Sequence, residues 1–130
     1  MFETALFDHI KNNFALSGYT LVFGFKSVPE TTKAPYIIQY PLDTSGDAQF
    51  LCNDNDFSDG EAFIQWNVSH PDPKKAFYIK CQLMTFIAEL KDITGYQIML
   101  NTAASSPGDY DETSKLYIET VTREITYSKK

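Results

Sequence analysis

Arginine is almost missing from this chain: Arg123 is the only one in 130 residues. Histidine and cysteine are nearly as scarce, at two each: His9, His70, Cys52 and Cys81. No Lys or Arg falls between Lys33 and Lys74, a stretch that holds Asp43, Asp47, Asp54, Asp56, Asp59, Glu61 and Asp72. The formal net charge is −6. Phosphate binding rests on Lys and Arg, so high affinity for nucleic acid is not expected. The acid block should instead repel DNA or attract cations. Two cysteines far apart read as buried thiols in a reducing compartment, and two alone do not define a disulfide. No apolar run approaches a membrane span, and no basic-then-apolar signal opens the chain. The expected place of synthesis is therefore a cytoplasm, with no membrane partner.

Catalytic and metal signatures are absent as well. Neither histidine has a metal-type partner at close spacing. No phosphate-cradling glycine loop or dinucleotide fingerprint occurs. Asp54, Asp56, Ser58, Gly60 and Glu61 invite a calcium-loop reading, which fails on register. With Asp54 first, Asp59 stands where glycine is required and Gln65 where the bidentate glutamate belongs. A solvated acidic turn is the plainer reading, and Asp54, Asp56, Asp59 and Glu61 form a candidate acidic loop surface. No catalytic residue, cofactor or metal is expected.

What is present is apolar and aromatic. Hydrophobic residues make up 43 % and aromatics 15 %, enough for one domain over residues 1–130 with a real core. Phe2, Leu6, Ile10 and Phe14 recur every four residues and predict a helix over about residues 3–16. Residues 19–25 and 35–42 read as strands, the second bracketed by prolines that place its ends outside the ladder. A short strand over 48–52 and a polar turn follow. Residues 61–70 are a strand with Ala62, Ile64, Trp66 and Val68 facing inward. Asp72 and Pro73 open a second helix that runs to about Leu90, with Ala76, Ile79, Leu83 and Ile87 on its apolar face and Phe77, Cys81, Met84 and Ala88 widening it. Residues 96–100 form a strand, and 103–112 a flexible loop. The fold class is α+β: a mainly antiparallel β-sheet with two α-helices packed on it.

The C-terminal stretch is one long strand, residues 114–127, without Gly or Pro. Strands usually span roughly 5–6 residues, so this one crosses a large sheet or runs past its own domain to a neighbour. Its odd face mixes Tyr117, Val121, Ile125 and Tyr127 with Glu119 and Arg123. Charges are rarely left in a dry core, so these six residues are the candidate subunit interface. For Arg123 the competing assignment is a cross-strand ion pair.

The chain also resembles a family: the tail terminator (tail-completion) proteins of long-tailed, lambda-type bacteriophages. The likeness lies in the element order, in Pro35-Tyr36-Ile37-Ile38-Gln39-Tyr40, in Gly108-Asp109-Tyr110-Asp111 and in Ile125-Thr126-Tyr127 near the C-terminus. It covers nearly the whole chain in pattern. The resemblance implies a non-enzymatic virion structural protein. It would form a homo-oligomeric, hexameric ring on the tail tube, end tube polymerisation and offer the head–tail joining surface. Its partners would be the tail tube protein and a head–neck connector protein, at the tail–head junction, with DNA passing through unheld. An acidic lumen or loop surface would suit that passage. The acidic loop here is shorter than in the family. Three alternatives remain open: a related neck protein, an acidic DNA mimic or inhibitor, and an enzyme recruiting His70, Asp72, Tyr78 and Tyr96.

Overall fold

The computed structural model describes residues 2–29, 32–42, 59–105 and 108–130. The first helix, α1 (Phe2–Asn13), follows its four-residue apolar stripe. Strands β1 (Val22–Phe25), β2 (Tyr36–Leu42) and β3 (Asp59–His70) come next. Helix α2 (Pro73–Ala88) leads to β4 (Asp92–Ile93), β5 (Tyr96–Ser105), β6 (Asp109–Asp111) and β7 (Leu116–Lys129). The sheet order is β1-β2-β3-β7-β5-β4, with β6 also pairing β7. Every pairing is antiparallel except β1 with β2. This is the expected α+β fold.

Helix α2 starts where Asp72 accepts hydrogen bonds from the N–H groups of Lys74 and Lys75, with Pro73 at the first helical position. That satisfies amides a helix start otherwise leaves unbonded. Both helices pack on one face of the sheet. Phe2 of α1 stacks on Tyr127 of β7, with ring centroids 4.0 Å apart. Asn101 of β5 donates from Nδ2 to the Ile87 carbonyl of α2 at 2.8 Å. Between helices and sheet lies one core built on Leu6, Ile10, Ile64, Trp66, Leu83 and Ile125. Trp66 is inside it as its alternation predicts, and its polar edge is answered. Nε1 donates to Gln39 Oε1 at 3.0 Å, and Gln39 Nε2 donates to the Glu3 carbonyl at 2.9 Å. This relay ties α1 to the centre of the sheet.

Several expectations need correction. Pro41 lies inside β2, opposite Ile64, not outside the ladder. It is tolerated because β1 pairs only Tyr36 to Gln39, which leaves β2 an edge strand at Pro41. Phe77 does not widen the buried face of α2; it is 55 % exposed, and Lys80 is buried with its ammonium over the Phe77 ring. Part of the expected loop over 103–112 is strand, since β5 runs to Ser105 and β6 follows. The expected strand over 48–52 lies outside the described residues.

Candidate interaction surfaces

The long C-terminal strand does not run past the core. β7 lies between β3 and β5, and β3 pairs it from Tyr117 to Ser128. Val121, Arg123, Ile125 and Tyr127 are buried within the chain itself, so they are not a surface for a second subunit. The physical reason is the sheet order: a central strand carries core on its helix side. Tyr117 and Glu119 are half-buried near the other end of β7. Tyr117 packs on Tyr110 of β6, 4.6 Å between centroids. Glu119 turns its carboxylate beneath Gly108, where any side chain in place of the glycine hydrogen would collide with it.

Arg123 is neither a cross-strand ion pair nor an intersubunit anchor. Its Nη1 donates to Asn101 Oδ1 at 3.3 Å and its Nη2 to the Met84 carbonyl at 3.4 Å. Nε has no partner among the described residues. Burial pushes the guanidinium's pKa down. The charge sits under α2, held to that helix by a backbone oxygen. Together with Asn101 it forms a polar clasp between sheet and helix.

Of the candidate acidic surface, Asp54 and Asp56 lie outside the described residues. Asp59 and Glu61 sit at the start of β3, with Glu61 exposed. His70 and Asp72 meet: His70 Nδ1 accepts the Asp72 N–H at 2.9 Å. Burial, helped by Lys75, lowers the His70 pKa against the pull of Asp72. Tyr19 lies between His70 and Tyr78, with centroids 6.3 and 5.9 Å away. Tyr96 is elsewhere, edge-on to Tyr127 beside Phe2, so the four residues of the enzyme alternative are not brought together. Among the described residues no three His, Cys, Asp or Glu side chains are placed to hold a metal ion. No described helix is long and apolar enough to cross a membrane.

The surface that the residue patterns did not single out is the other side of the sheet, which no described helix covers. Tyr36, Ile38, Tyr40, Phe63 and Ile118 lie there, half-buried, beside Gln65, Asn67 and Thr120. The signal was in β2: Tyr36-Ile37-Ile38-Gln39-Tyr40 is apolar at both parities. A strand with one wet face alternates, whereas one covered on both faces reads as a continuous apolar run. No protein-family model matches this chain, and no curated protein matches it.

Proposed function

We propose that this chain is a ring-forming virion protein of the tail-terminator type. It would cap a phage tail tube as a homo-oligomer, in the family a hexamer, and present the surface that joins tail to head. The observation that carries this reading is the face of the sheet that no described helix covers. It offers a broad band of tyrosine, isoleucine and phenylalanine mixed with amides and hydroxyls, a composition suited to contact with another protein. The resemblance drawn from the sequence supports the same reading. In this reading the tail tube protein and the head–neck connector are the partners, and the negative net charge lets DNA pass without being held. The role is structural and non-enzymatic. The test is complementation of infected cells whose phage lacks this protein. The expected result is unjoined heads and tails of abnormal length, restored by the wild-type chain. Normal virion yield without the protein would overturn the reading.

A further inference from the structure

We propose that the two edges of the sheet are the complementary halves of one self-interface: β1 of one copy adds to β5 of the next, so that the sheet continues from chain to chain. The inference rests on the ring-forming reading. β1 pairs β2 on one side and, among the described residues, no strand on the other. β5 pairs β7 along most of its length but meets β4 only at Tyr96 and Gln97. From Met99 to Ser105, no described backbone group bonds anything beyond the β7 ladder.

Both open edges lack two of the usual guards, charge and proline, although β1 is only four residues long. Monomeric proteins protect a sheet edge with charge, proline, brevity or a cover. β1 reads Val22-Phe23-Gly24-Phe25, and β5 from Ile98 reads Ile-Met-Leu-Asn-Thr-Ala-Ala-Ser; neither run holds a charge or a proline. The one interruption is a bulge at Met99, after which the register with β7 is regular from Leu100 to Ser105. Charge does not distinguish the two edges. Lys26 and Lys33 flank β1, and around β5 Glu89, Asp92 and Asp109 are balanced by Lys91, Lys129 and Lys130, with Asp92 paired to Lys130.

Strand polarity favours the pairing. β1 runs with β2, and β2, β3, β7 and β5 alternate in direction. β1 and β5 therefore run oppositely, and a second copy set beside the first in the same orientation brings its β1 antiparallel to β5. A head-to-tail contact of this kind is heterologous and closes into a ring when the rotation allows. Pairing β5 with β5 of a second copy would stop at a dimer and leave both β1 edges open.

The outward groups of β5 can be named. Ile98 donates its N–H to the Lys91 carbonyl on the outer side. Alternation past the bulge then turns the N–H groups of Asn101, Ala103 and Ser105 outward and those of Leu100, Thr102 and Ala104 toward β7.

The test uses one lysine on each edge, Val22→Lys on β1 and Thr102→Lys on β5, both at exposed positions. Sedimentation should show the wild type assembling with concentration, and each variant requiring roughly ten-fold more protein or worse. Melts in dilute solution should match the wild type, so that lost assembly is not lost fold. An equimolar mixture of the two variants should give a one-to-one dimer, because one sound β5 then meets one sound β1. Exchange of the Asn101, Ala103 and Ser105 amides should slow on assembly. If Val22→Lys assembles like the wild type while Thr102→Lys does not, β5 pairs with itself and the proposal is overturned. If a wild-type ring is indifferent to both substitutions, the edge pairing is overturned and the ring reading stands. A wild type that remains monomeric at all concentrations overturns the pairing too, leaving the virion reading to complementation alone.

Discussion

Tyr127 is a tyrosine whose hydroxyl is held well above its ordinary pKa. Burial, with Glu3 nearby as a second cause, pushes its pKa from 10 to about 12. A raised folded value means that the native state keeps the proton which the unfolded chain gives up. The stability contribution is intact below pH 10 and is lost as pH rises through about 12. Tyr127→Phe should therefore flatten the fall in melting temperature between pH 10 and 12, and equal slopes for variant and wild type would refute this. At the acid end His70 works in the opposite sense. Its folded pKa is lowered by burial and then by Lys75, and the unprotonated Nδ1 accepts the Asp72 N–H. That contribution is present above the unfolded value of 6.5 and fades as pH falls below it. Arg123 poses a sharper question, since its guanidinium is buried and its Nε has no partner among the described residues. Arg123→Glu would place an anion against the Met84 and Asn101 oxygens, and should unfold the chain rather than weaken assembly alone. A variant with wild-type melting behaviour would contradict the clasp.

At the scale of elements, Trp66 is the test of how β3 and α2 hold together. Trp66→Ala should cost roughly 3–5 kcal/mol, read from denaturant unfolding, because it empties the centre of the core. Gln39→Leu should cost less, about 1–3 kcal/mol, by leaving the indole N–H without its acceptor. A neutral result would mean that the relay from Trp66 to Glu3 contributes nothing. These elements also mark what could be read from residues alone. The inward face of β3 and the cap at Asp72 were legible, because period-two burial and capping chemistry are local. Gln39 was not, because a polar side chain in an apolar strand shows no sign of its partner 27 residues away. The place of β7 was misjudged for a related reason. Length says that a strand crosses a large sheet or leaves its domain, and only the pairing with both β3 and β5 decides between them. The charge on its odd face suggested a wet interface, but Asn101 and a helix carbonyl answer that charge indoors.

For the whole molecule, the useful asymmetry is between the two faces of one sheet. One face buries the core beneath both helices, and the other carries Tyr36, Ile38, Tyr40, Phe63 and Ile118 with no described helix over them. If that second face is where the assembled particle makes contact, its apolar side chains should matter to assembly far more than to folding. Phe63 separates the two roles. It stands between Leu42 on β2 and Glu124 on β7, and Glu124 is exposed. Phe63→Lys removes an aromatic ring from the face while setting an ammonium opposite that carboxylate, and cross-strand pairs of opposite charge stabilise by roughly 0.2–1 kcal/mol. The lost burial and the new pair oppose each other, so the melt should move little. In infected cells supplied only with Phe63→Lys, heads and tails should accumulate unjoined although the protein is present at wild-type level. Full virion yield from the well-expressed variant would remove Phe63 from the contact. A collapsed melt would show instead that this face belongs to the stability of the single chain.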